Sequence, residues 1–139
     1  MTLVKAFFLL SLALPAAAAQ TADFDRARAE TSLTPQAPAW LPAGYAYKSL
    51  DILPYHGKKI INYHFSDGVH VLSLFQCPPR LRLDFGTKDR EAVRVAGGKG
   101  FFSKSAQGNV LGWSVKGARL VLIGPLARED LLKVAESVR

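Results

Sequence analysis

Two apolar runs, residues 59–65 (KIINYHF) and 69–77 (VHVLSLFQC), flank Ser66-Asp67-Gly68. Asp-Gly between alternating runs is the strongest short-range signal for a hairpin, because the tight turn needs residues that accept positive φ. This stretch commits the chain to an antiparallel sheet. With Asp67-Gly68 as a two-residue loop, Phe65 stands opposite His70, His64 opposite Val71 and Tyr63 opposite Leu72. Side chains alternate across a strand. One face then collects Ile61, Tyr63, Phe65, His70, Leu72 and Leu74, and the other Ile60, Asn62, His64, Val71, Ser73 and Phe75. His64 and His70 point to opposite sides and cannot share a metal, while Asp67 is explained by the turn its side chain supports. A three-residue loop, with Ser66 and Asp67 in a type I turn and Gly68 left-handed, would change the pairing.

Other segments repeat the strand pattern. After a turn at Pro42 to Gly44, Tyr45, Tyr47 and Ser49 alternate with Ala46, Lys48 and Leu50. Gly57 breaks that run. Pro78 and Pro79 end the third strand, because proline cannot donate to a central ladder. Glu91 to Val95 alternates again, Lys99 to Lys104 is short and aromatic, and turns at Gln107-Gly108-Asn109 and Lys116-Gly117-Ala118 bracket VLGWSVK before RLVLIG. These last runs predict a hairpin with Leu111, Trp113 and Val115 facing Leu120 and Leu122. The period then changes: Leu131, Val134, Ala135 and Val138 recur at three and four, the stripe of an amphipathic helix. Glu129 and Asp130 fall in its first turn, where exposed amides favour negative charge. The expectation is an α+β fold, an antiparallel sheet of about six strands with one C-terminal helix on a face, the other face being left to solvent or a partner.

The chain has 139 residues. Lys5, the apolar run that follows it and the small residues Ala16 to Ala19 have the order of a secretory signal peptide, which assigns residues 1–19 to a leader cleaved before Gln20. The apolar run falls short of the roughly 20 residues a membrane helix needs. Residues 20–39 are polar, alanine-rich and carry Pro35 and Pro38, with little to bury, and read as a flexible tail. Residues 40–139 form the folded domain. Cys77, the one cysteine, ends an apolar strand and reads as a buried small hydrophobe; the alternative for an exported lone thiol is pairing with another chain.

Charge is unevenly spread. The net charge is +7, and between Arg80 and Arg119 stand nine basic residues against Asp84, Asp89 and Glu91, whereas residues 20–79 and 120–139 each balance. A local positive field attracts acidic partners and speeds their encounter. Arg80, Arg82, Arg90, Arg94, Lys99 and Lys104 are therefore the candidate partner-binding residues, acting as point charges or as bidentate carboxylate ligands. The alternative reading is a set of solvated strand faces kept soluble by charge.

Phosphate-loop, dinucleotide, zinc-protease, dithiol and nucleophile-elbow motifs are absent. Gly97-Gly98-Lys99-Gly100 lacks the following helix that would aim its amides at a phosphate, and reads as a turn. No pairing of nucleophile and base stands out, so the chain reads as neither an enzyme nor a carrier of a metal or cofactor. Phe85, Phe101, Phe102 and Trp113 could stack on bases beside the basic stretch. Export argues against nucleic acid.

Trp40-Leu41-Pro42-Ala43-Gly44-Tyr45, Phe65-Ser66-Asp67-Gly68-Val69 with Leu72-Ser73-Leu74-Phe75, Gly124-Pro125-Leu126 and Val134-Ala135-Glu136-Ser137-Val138 follow one another in an order that resembles the carboxy-terminal domain of the MucB/RseB family of periplasmic sigma-E regulators. The resemblance spans about residues 38–139. It implies a sheet packed on a helix and a non-enzymatic, periplasmic role. Members of that family bind the periplasmic part of a membrane-spanning anti-sigma factor and release it when envelope-stress signals such as lipopolysaccharide bind. The expectation is that the amino-terminal domain of full members has no counterpart in this sequence, which leaves protein binding as the part that carries over. The expected function is an exported binding module for an anti-sigma factor or another acidic envelope protein in stress signalling; the alternative is a binder of anionic lipid or lipopolysaccharide at the membrane surface.

Overall fold

Seven strands alternate and pair as neighbours in sequence, except at one seam. In the computed structural model, which describes residues 16–139, the strands are β1 (Ala46–Tyr55), β2 (Lys58–Ser66), β3 (Val71–Cys77), β4 (Lys88–Val95), β5 (Gly98–Ser105), β6 (Gly108–Val115) and β7 (Ala118–Gly124). Helix α1 (Ala16–Glu30) precedes them and helix α2 (Arg128–Glu136) follows. The sheet order is β1-β2-β3-β7-β6-β5-β4, antiparallel throughout. Two meanders are sewn together where β3 meets β7. The chain is α+β, as expected, with one more strand. The leader assigned to residues 1–19 lies for the most part outside the described residues. No described helix is long and apolar enough to cross a membrane.

The central hairpin corrects the expected register. Ser66 pairs with Val71, Phe65 with Leu72 and His64 with Ser73, so the loop is Asp67–His70 rather than Asp67-Gly68. Local hydrogen bonds favour the longer loop: the Asp67 carboxylate accepts from the amides of Val69 at 2.8 Å and His70 at 2.6 Å, and the Ser66 hydroxyl donates to the His70 carbonyl at 2.8 Å. Gly68 takes φ +95. Because the slip is two residues, the faces are preserved, and Val69 and His70 move off the strand into the loop. In β1 a bulge at Lys48 interrupts the expected alternation and brings Tyr47 and Leu50 to one face.

That face is the core. Ile61, Tyr63, Phe65, Leu72, Leu74, Leu111, Trp113, Leu120 and Leu122 are at most 3% exposed and pack against Leu131, Val134 and Ala135 of α2. The β6–β7 pairing is the expected one, Leu111 with Leu122 and Trp113 with Leu120. Each fully buried apolar side chain of this size contributes about 2 kcal/mol. Glu129 and Asp130 occupy the first turn of α2, whose cap position, Ala127, offers no side-chain acceptor.

Residues 20–39 are not a tail. Alanine-rich sequence favours helix, and α1 needs few apolar residues because it adds to a core already built. Phe24 meets the rings of Tyr47 and Tyr63 edge-on at 6.1 and 5.4 Å, and Ala27 is fully buried. Polar groups complete the seam: Tyr47 donates to Asp23 at 2.5 Å and Arg26 to the Leu50 carbonyl at 3.2 Å. Farther on, Tyr63 donates to Gln76, whose amide donates to the Thr34 carbonyl at 2.7 Å, while the Gln36 amide donates to Tyr63 at 3.1 Å. Burial holds the Tyr63 hydroxyl above its ordinary pKa, the Gln36 amide opposing it. Ala37 then exchanges two backbone bonds of 3.1 Å with Arg139, clasping the start of the domain to its end.

Candidate functional site

Among the described residues, no helix packs on the second face of the sheet. The connection from β3, mid-sheet, to β4, at the far edge, runs across it instead. Phe85 of this strap packs against Phe75, ring centres 5.2 Å apart and tilted by 56°, and covers Val110, Val121 and Ile123, a small apolar cluster separate from the main core. Pairing registers lay out the rest of the face in rows. One reads Ala92, Phe101, Gly112, Val121, Phe75, Asn62 and Asp51 across all seven strands. The neighbouring row is basic at β4 and β5, where Arg94 pairs with Lys99, and again at β7, where Arg119 lies between Ser114 and Cys77.

Cations converge where the strap meets this row. Arg119 is half-buried beneath it; burial first, and then the like charges of Arg82 and Arg90, lower its pKa, with Cys77 acting weakly the other way. Arg90 lies in a β-bulge with its guanidinium 4.2 Å from the centre of the Phe101 ring, and its Nε donates to the Thr87 hydroxyl at 3.2 Å. The ring lies flat because Gly112 opposes it; a Cβ there would come within 2.3 Å of a ring carbon. Arg94 donates to the Gly97 carbonyl at 3.0 Å, within its own hairpin. Among the described residues, no carboxylate lies within ion-pair distance of Arg82, Arg90, Arg94, Lys99 or Arg119. Of the three acids in the basic stretch, Glu91 is taken by Arg128 at 2.6 Å and Asp84 accepts from the Gly86 amide at 2.8 Å.

Of the six sequence candidates, the structure places Arg82, Arg90, Arg94 and Lys99 on the uncovered face or the strap over it. Arg80 sits apart, lining a cavity of about 460 Å³ with His56, Lys58 and Leu81. Lys104 is a correction: paired with Lys88 and alternating with buried Ser103, it turns to the helix side of the sheet, beside Glu91 and Phe102. Strand parity separates it from Lys99, which sequence proximity cannot show. Arg119 is the residue the sequence selection misses. Its alternation with Val121 and Ile123 places it on this face, but only the path of the strap brings Arg82 to it.

Two of the three histidines sit beside carboxylates, His64 3.0 Å from Asp51 and His70 3.1 Å from Asp67, while His56 meets the Tyr55 ring edge-on at 4.4 Å. Hydrogen bonds from the His70 amide and ring, then from the Val69 amide, bring the Asp67 carboxyl down to about 2. Cys77 is buried and free, and burial pushes its thiol up to about 12, with Arg119 pulling the other way. Among the described residues, no group of three or more His, Cys, Asp and Glu side chains is placed to hold a metal ion.

Residues 36–138 match the family model described as Domain of unknown function (DUF4367). No curated protein matches the sequence. Among solved structures, the chain is distantly similar to MucB in the complex structure of Pseudomonas aeruginosa MucA/MucB, at 17% identity and TM-score 0.48, covering 75% of this chain and 34% of that one. MucB in complex with MucA(peri) gives 16% and 0.49 over 75% and 36%, and MucB by itself 17% and 0.45 over 77% and 33%. The chain thus spans about a third of the length of those proteins.

Proposed function

This chain belongs to the DUF4367 family, and we propose that it is an exported, non-catalytic binding module that docks an acidic segment of an envelope protein on the basic end of its uncovered face. The observation that carries the reading is the gathering of Arg82, Arg90, Arg94, Lys99 and Arg119 on one side of the sheet with no neutralising acid among the described residues. Unpaired cations next to one another repel: beyond the effect of burial, the like charges of Arg82 and Arg90 also lower the pKa of Arg119, and an anionic partner relieves that repulsion. Arginine suits the task because its planar fork matches a carboxylate at two points. The resemblance of its motifs to those of MucB/RseB proteins suggests the kind of partner, the periplasmic part of an anti-sigma factor, and a place in envelope-stress signalling.

The test is affinity for the extracytoplasmic segment of a candidate anti-sigma factor, measured for the native chain and for R82Q/R90Q/R94Q/K99Q across a salt series. The native chain should lose affinity as salt rises, and the variant should bind about tenfold more weakly at low salt with a flatter dependence. Equal affinity and equal salt dependence would refute the reading.

A further inference from the structure

β4 is an edge strand with no partner on its outer side among the described residues, and that edge lies beside the cations. We propose that the acidic partner docks there in extended form, as an added strand along Glu91–Val95; this deepens the reading above and rests on it. The β4–β5 turn has positive φ at both Ala96 (+50) and Gly97 (+81), the signature of a type I′ hairpin. Val95 and Gly98 are its closing, hydrogen-bonded pair. By antiparallel alternation Val93 and Glu91 also turn their amides and carbonyls to β5, leaving those of Ala92 and Arg94 pointing outward. Unpaired edge groups of this kind are what a peptide uses when it extends a sheet.

The two edges of the sheet differ. At β1, α1 packs alongside, Arg26 caps the Leu50 carbonyl at 3.2 Å, and Pro54 has no amide to offer. At β4, Glu91–Val95 contains no proline and is largely exposed, and the bulge is confined to the stretch before Glu91.

Charge selects the occupant. Residues of an added strand that point to the uncovered face would sit beside Arg90 and Arg94, with Lys99 one strand farther in. Those pointing the other way would extend the apolar surface of Val93 and Phe102, both half-buried against the main core. The fitting segment therefore alternates acidic and apolar residues. A second copy of this chain, pairing β4 with β4, would bring the arginines of both copies onto one face. Like charges across a strand pair destabilise it, so the cations that keep copies apart are those that hold an acidic strand.

The probe is a fluorescein-labelled peptide alternating glutamate with valine. Two N-methylated isomers keep its charge and remove alternate amides. Methylating the set that faces β4 should abolish binding, whereas methylating the other set should leave affinity within about twofold, because only one edge of an added strand pairs. Hydrogen exchange on the native chain should slow at the Ala92 and Arg94 amides when the unmethylated peptide binds, with Val93 and Val95 protected before it is added. Equal tolerance of both methylated isomers, or no new protection at Ala92 and Arg94, would overturn strand addition. If the isomers bind alike while R82Q/R90Q/R94Q/K99Q loses the peptide, the strand proposal falls and the basic surface stands; if the charge variant also binds normally, both fall.

Discussion

The two faces of one sheet are built to different ends. The first carries two helices, near-complete burial of its aliphatic and aromatic side chains, and a network of satisfied polar groups around Tyr63 and Gln76. The second carries a strap, a small apolar cluster and a row of cations that no described acid neutralises. Folding free energy resides in the first. The second keeps unpaired like charges close together, an arrangement that costs stability and favours an anion.

Substitutions on the two faces should separate these roles. Leu122→Ala, in the fully buried face, should lose about 3 kcal/mol, read from the urea midpoint. Phe24→Ala removes the aromatic contact of α1 with Tyr47 and Tyr63 and should cost about 2 kcal/mol; no change would return α1 to the tail expected from sequence. Gly112→Ala forces the Phe101 ring and Arg90 to move, for about 1 kcal/mol by thermal unfolding. R94Q/K99Q should stay within about 0.5 kcal/mol of the native chain and gain stability at low salt if repulsion dominates. A loss from R94Q/K99Q as large as that from Leu122→Ala would erase the contrast between the faces.

The smallest effect concerns acid. The Asp67 carboxyl is depressed to about 2 in the fold. A depressed folded pKa gives stability that is present above the unfolded value, about 4, and lost as pH falls through the folded one. Asp67→Asn should therefore flatten the pH dependence of the thermal midpoint between about 4 and about 2. An unchanged profile would show that the hairpin loop does not depend on this carboxylate.

What the sequence disclosed follows from what is local. Alternation with turn residues identified the strands, and because a two-residue slip conserves parity, Tyr63, Phe65, Leu72 and Leu74 were assigned to one face despite the wrong loop length. The spacing of Leu131, Val134 and Ala135 similarly identified α2 and its buried stripe. Long-range features were not legible. Phe24 and Ala27 are too few to mark an amphipathic helix, and their value depends on Tyr47 and Tyr63 already being in place. For the site, the basic stretch was visible as composition. Its division into Lys104 on one side, Arg94 and Lys99 on the other, and Arg119 beneath the strap required the strand register and the path of residues 78–87.

The central claim is that an acidic segment settles on the uncovered face. Its most direct test is a backbone amide titration by NMR, adding the glutamate–valine peptide to the native chain at low salt. The expected result is a set of shifted resonances at Arg82, Arg90, Arg94, Lys99 and Arg119, with Ala27, Leu131 and Val134 on the helix-covered side unmoved. Shifts confined to α1 and α2, or none at any peptide concentration, would contradict the account.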